Sequence, residues 1–177
     1  IATRLYAPED FGDLQLLLSI VVTFAAVGAL RYEVTIVLPQ EREESRNLAA
    51  LSLLVVGVFA GLLALLCWLF GPWLLAQFDA QRLEPYVFLV VLGFVANALL
   101  RVAQHNLIAT KQFGSLARNT VAQVSVTQAG YIGLGLWRPS FLGLFGSQMA
   151  GYAVGIAAAL RRAPIRLRGV RLRVLAR

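Results

Sequence analysis

The stretch LAALSLLVVGVFAGLLALLCWLFGPW, residues 48–73, carries no charged side chain. A helix of about 20 apolar residues crosses a hydrocarbon core of about 30 Å, so a run this long is expected to be a transmembrane span. It is too long and too apolar for a buried helix of a soluble core. Working outward, the same pattern recurs at 14–38, 86–109, 119–137 and 141–160, which makes five expected spans. The whole chain agrees, with 59% hydrophobic and 14% charged residues and a mean hydropathy of +0.72. Globular chains run at roughly 45–50% apolar and about 25% charged. The expected fold class is an all-α integral membrane protein.

Cys67 is the sole cysteine and lies inside the second span, which excludes a disulfide framework within one chain and a thiolate metal cluster. Ile1 is not a start methionine, and no basic segment precedes an apolar core of signal-peptide length. The chain is therefore expected to be a fragment that has lost its beginning.

Arginine and lysine in the short loops set membrane orientation. Arg4 precedes the first span; Arg42 and Arg46, then Arg82, then Lys111 and Arg118, then Arg138 follow in successive loops. The alternation of poorer and richer loops places the richer ones, and the tail after residue 160, in the cytoplasm. That tail, RRAPIRLRGVRLRVLAR (161–177), holds seven arginines and accounts for the net charge of +7. Such a segment beside a span is attracted to anionic lipid headgroups by about 1 kcal/mol per charge. Its aliphatic residues can dip into the interface. It lacks the aromatic residues on which single-stranded bases stack, so nucleic acid is not an expected partner.

YAPEDFG (6–12) is a helix start, with Pro8 in the first turn and Glu9 and Asp10 at the positive end of the helix dipole, although Ala7 is a poor cap. LPQEREESRN (38–47) is expected as a polar cytoplasmic turn, and GPWLLAQFDAQRLEPY (71–86) as an external connection with Trp73 and Tyr86 as interfacial anchors. In the fifth span Gly143, Ser147, Gly151 and Gly155 recur every four residues and form a stripe that another helix can approach closely.

Polar residues inside the spans carry the functional question. NALLRVAQHNLIAT (97–110) holds the only histidine and an arginine near mid-membrane, since Arg101 lies ten residues before Lys111, about 15 Å at 1.5 Å per residue. A central arginine costs about 2.5–3.5 kcal/mol on insertion scales, so it faces a partner, the bundle interior or water. Asn97, Arg101, Gln104 and His105 share a helix face. The fourth span has a similar stripe of Thr120, Gln123, Thr127 and Tyr131, with Gln128 beside it. In the first, Arg31 shares a face with Gly28 and Thr35, and Glu33 points away. The simplest arrangement is a bundle around a hydrated cavity lined by Arg31, Arg101 and the amides. Arginine suits an anionic substrate group because its planar donor fork pairs bidentately with phosphate. The alternative is a Glu33–Arg101 ion pair between helices, with the amides only holding the bundle together. Proton coupling through His105 or Glu33 is a further option. No metal or other cofactor is expected, because no second histidine or cysteine stands at ligand spacing from His105. Enzymatic motifs are absent, GYIGLG (130–135) included, since it lies in the fourth span with no strand before it.

RLYAPEDFG (4–12), LRYEVTIVLP (30–39) and ANALLRVAQHNLIATKQFGSLARNTVAQ (96–123), in this order of spans, resemble bacterial polysaccharide flippases of the oligosaccharide-flippase type. These belong to the multidrug, oligosaccharidyl-lipid and polysaccharide exporter superfamily. The resemblance implies two bundles of six helices that rock to open a central cavity to either side of the inner membrane. The cargo implied is an undecaprenyl-diphosphate-linked oligosaccharide repeat unit, carried to the periplasmic leaflet for polysaccharide biosynthesis. By this resemblance the chain holds helices two to six of the first bundle, its partners are the missing helices of the same transporter, and residues 161–177 are the cytoplasmic linker. Arg31 and Arg101 are the positions that could meet the diphosphate, leaving Asn97, Gln104, His105, Gln123 and Gln128 for sugar or water. A multidrug exporter of the same superfamily is the nearest alternative, although only Glu33 is available for a cationic drug. A scaffold or assembly subunit with no cavity is another. A membrane glycosyltransferase would need a longer external loop than any present.

Overall fold

The computed structural model describes residues 5–28, 42–77 and 81–162, and among these it is helix and short connection with no strand. The order is α1 (Pro8–Gly28), α2 (Arg42–Gln77), a 3-10 turn (Gln81–Tyr86), α3 (Phe88–Ala109), α4 (Phe113–Trp137) and α5 (Phe141–Arg162). Three of these are long and apolar enough to cross a membrane: Ser52–Gly71 within α2, then α3 and α5. The protein is an all-α membrane protein. Arg31 and Glu33 lie outside the described residues, as does the tail beyond Arg162.

Each helix begins and ends for local reasons. Pro8 opens α1 with Glu9 and Asp10 in its first turn, and the Ala7 carbonyl accepts from the Asp10 and Phe11 amides at 3.1 and 3.4 Å. Alanine caps through its backbone alone. α2 starts at Arg42, six residues ahead of the apolar run, so the second half of the expected 38–47 turn is helical. Polarity there marks the end of the apolar run and not the end of the helix. The expected 71–86 connection is likewise largely helical, with α2 continuing to Gln77 before the 3-10 turn. α3 closes on Lys111, a non-glycine residue at φ 57°, whose amide donates to the Ile108 carbonyl while Gln112 donates back to Leu107 at 2.9 Å. Arg161 and Arg162 form the last turn of α5, where cations suit the negative end of the dipole. Arg162 Nη1 also donates to the Ser115 carbonyl at 3.3 Å.

α3 is the centre of the bundle and touches all four other helices. Lipid is as apolar as leucine, so membrane helices associate through close packing and hydrogen bonds more than through the hydrophobic effect. Close packing is visible where Leu14, Leu17, Val21 and Ala25 form the buried stripe of α1. It presses Val21 against α3 so tightly that a Cβ on Gly93 would lie 3.1 Å from the Val21 methyl Cγ2.

The tightest pair is α4 with α5. The small residues of α5 meet the polar stripe of α4 at successive turns: Ser147 against Gly130, Gly151 against Thr127, and Gly155 against Gln123. Asn119 Nδ2 completes this seam by donating to the Gly155 carbonyl at 2.9 Å. The glycine stripe is therefore a packing face. α4 has the length of a span, but it is not among the three helices apolar enough to cross on composition. Much of its polarity is turned onto α5.

At the other end of α4, Tyr6 donates from its hydroxyl to the Tyr131 carbonyl at 2.9 Å, and its ring lies against Gly135. Phe11 meets the Tyr6 ring edge-on at 5.7 Å and faces Tyr131 at 6.4 Å, a favourable aromatic geometry. Burial, and secondarily the Asp10 carboxylate, raise the Tyr6 phenol above its ordinary value.

Candidate functional site

The middle of α3 carries a relay of polar groups. Arg101 Nε donates to Asn97 Oδ1 at 3.0 Å, one helical turn away. Asn97 Nδ2 in turn donates to the Tyr152 hydroxyl on α5 at 3.2 Å. Both ends of the Asn97 amide are thus assigned, oxygen to the guanidinium and nitrogen to the phenol. Asn97 and Tyr152 are buried at 8% and 6% exposure, whereas Arg101 is half-buried. The arginine is thus tied through Asn97 to the packed α3–α5 contact.

Gln104 and His105 lie one turn further along α3, both half-buried. His105 Nδ1 is buried and makes no hydrogen bond. α3 thus brings Asn97, Arg101, Gln104 and His105 together, as helical spacing requires. The other expected residues are distributed differently. Gln123 lies in the α4–α5 seam, where its Oε1 would be 3.4 Å from a Cβ on Gly155. Gln128 is exposed, because five residues along a helix turn it by about 140° from Gln123. A hydrated cavity lined jointly by the arginines and amides is not among the described features. No group of three or more His, Cys, Asp or Glu side chains among the described residues is placed to hold a metal ion.

Tyr152 and Gln148 were missed in the sequence, and both belong to the polar core. Tyr131 donates from its hydroxyl to Gln148 Oε1 at 2.8 Å, which joins α4 to α5 one turn from Tyr152. Their four-residue spacing on α5 was the available signal, masked by the glycine stripe beside it. Asn119, 2% exposed, is the buried partner on α4, whereas its neighbour Thr120 is exposed.

The profile of the family described as "Polysaccharide biosynthesis protein" matches residues 1–176. The chain belongs to this family. No curated protein and no solved structure matches it. Membership gives the polar core of this polysaccharide biosynthesis protein a context: it is a membrane bundle with a positioned arginine at mid-helix, in a family that makes or exports polysaccharide.

Proposed function

We propose that the chain forms part of a flippase that moves undecaprenyl-diphosphate-linked oligosaccharide repeat units across the bacterial inner membrane by alternating access. The observation that carries this is the orientation of Arg101 by Asn97, itself anchored by Tyr152. A guanidinium so fixed offers a pre-oriented donor fork to a diphosphate, and an arginine keeps its charge in a medium that penalises charge. Arg31 is the second proposed phosphate contact. Gln104 and His105, one turn past Arg101, would meet sugar or water; Asn97, already bonded to Arg101 and Tyr152, would do so through that relay, with Gln123 and Gln128 of α4 in the same role at greater remove. Glu33 is the proposed ion-pair or coupling group. Transport of this kind needs no bond made or broken by the protein, hence no enzyme chemistry and no cofactor. The arginine distribution favours a cytoplasmic tail that holds anionic headgroups, and the remaining helices of the transporter are the proposed protein partners.

The test uses the full-length gene, with Arg31→Ala and Arg101→Ala expressed in cells whose own flippase is deleted. Surface polysaccharide and membrane protein level are measured together. The expected outcome is normal protein with lost polysaccharide. Normal polysaccharide from both variants would remove the arginines from the mechanism. A second reading, in which these groups only hold helices together, draws on the α4 stripe being used in the α5 seam. It expects the protein itself to disappear in the Arg101 variant.

A further inference from the structure

α1 and α2 touch only briefly, and between them an apolar slot of ≈ 230 Å³ opens. Leu17 and Phe24 form its α1 wall, Leu63 and Cys67 its α2 wall, and Val87, the residue before α3, with Val90 of α3 its floor. At the floor α2 meets the start of α3, since a Cβ on Gly71 would lie 3.2 Å from Val87 Cγ2. We propose that this slot holds one acyl chain of a membrane phospholipid, a site independent of the arginine relay and of the transport reading.

Four observations select that occupant. The slot is continuous with the outer surface of α2, where Val58, Leu62, Leu65, Leu69 and Phe70 are all exposed at 48% or more. Phe70 belongs both to this surface and to the slot wall, so hydrocarbon that meets α2 from outside can enter the slot. Second, the walls offer no polar side chain below the mouth, so water has no partners there; an apolar cavity of about 150 Å³ already stays dry and takes up hydrocarbon. Third, Trp73 and Tyr86 line the end of the slot nearest the helix termini, and such rings sit at headgroup level. Fourth, α1 and α5 pack closely on α3 one turn past Val90, where a Cβ on Gly93 would lie 3.1 Å from Val21 Cγ2 and 3.7 Å from Phe145 Cε2. The slot's ≈ 230 Å³ exceeds the apolar cavity of about 150 Å³ that already takes up a small hydrocarbon, and suits part of one acyl chain entering from a leaflet.

The test is native mass spectrometry of the full-length protein extracted in mild detergent and washed to remove loosely held lipid. A single phospholipid adduct is expected on the wild type. It should be lost from Cys67→Phe and Leu63→Phe, which fill the slot, and kept by Leu62→Phe on the exposed face. No phospholipid adduct, a polyprenyl phosphate adduct that both filled variants lose, or a phospholipid that persists in both filled variants would overturn the proposal. If the filled variants do not fold, Cys67 of the wild type, followed by mass mapping of its own peptide, reports instead. Its alkylation by N-ethylmaleimide should rise severalfold on delipidation and fall again when phosphatidylglycerol is added back. A rate indifferent to lipid would equally overturn the proposal.

Discussion

Asn97 on α3 donates to the hydroxyl of Tyr152 on α5 at 3.2 Å while accepting from Arg101, so this cation in the middle of α3 is tied to a neighbouring helix. Tyr152→Phe keeps the ring and removes the acceptor. Hydrogen bonds between membrane helices average about 0.6 kcal/mol, and a buried donor left unpaired costs about 1–3 kcal/mol. Folded protein should therefore persist at slightly reduced stability in a thermal or denaturing-detergent titration. Under the proposed function, polysaccharide complementation should fall further than protein level does, and an equal fall in both would argue for a purely structural relay.

The α4–α5 seam has no room at Gly151. A Cβ there would overlap Thr127 Oγ1 and lie 3.0 Å from the Gln123 carbonyl. Gly151→Ala should destabilise the protein by about 1–3 kcal/mol, the usual range for overpacking. Adding Thr127→Ala removes the first clash and leaves the second, so partial recovery of the melting temperature is expected in the double variant. Additive losses would show that the two residues do not compete for that space.

Lys111 holds a left-handed backbone conformation at φ 57° in the α3–α4 turn. An L side chain there costs roughly 1–2 kcal/mol, a penalty glycine avoids. Lys111→Gly should raise stability by up to about 1 kcal/mol after the greater flexibility of glycine in the unfolded chain is offset. A lowered melting temperature would mean that the lysine side chain contributes more than its backbone costs.

The Tyr6 hydroxyl must be protonated to donate to the Tyr131 carbonyl. Because burial raises its folded value above the ordinary 10.0, folding favours the neutral phenol. That contribution is fully present below pH 10.0 and is lost as pH rises through the higher folded value. The wild type should therefore melt above Tyr6→Phe at neutral pH and lose that advantage in alkali. A gap between the two that is unchanged in alkali would show that the bond does not matter to stability.

Glu9 Oε2 and Arg82 Nη1 lie 2.8 Å apart, with side chains 73% and 64% exposed. An exposed pair of this kind contributes about 0–1 kcal/mol and is screened by salt. Glu9→Gln should shift the melting temperature slightly at low ionic strength and not at all at high salt. A large shift at high salt would show that the carboxylate has a role beyond this pair.

Hydropathy made the helices of this chain legible and left their contacts obscure. The sharp ends of the apolar runs placed α3 and α5 to within two residues, because solvent changes at the same point as sequence. The start of α2 was hidden, since a helix continues into water where its residues permit and the apolar run marks only the bilayer. On α3, spacing alone grouped Asn97, Arg101, Gln104 and His105. Spacing on α4 could not tell which neighbour its stripe would meet. Gln123 and Thr127 turned out to face the glycines of α5, and Gln128 the outside. Tyr152 was invisible because its role depends on an angle between two helices, which no single-helix periodicity contains.

The covering of the α4 polar stripe by α5 bears on how the protein is made. Asn119, Gln123 and Thr127 add a transfer cost to α4 that its apolar residues offset poorly, so α4 is a weak candidate for leaving the insertion machinery by itself. α5 follows after only Arg138, Pro139 and Ser140, and brings with it the Gly155 carbonyl and the gap-free surface that shelter those groups. A helix made just before its sheltering partner thus has that partner, with the close-packing glycines of α5, within three residues of its own end.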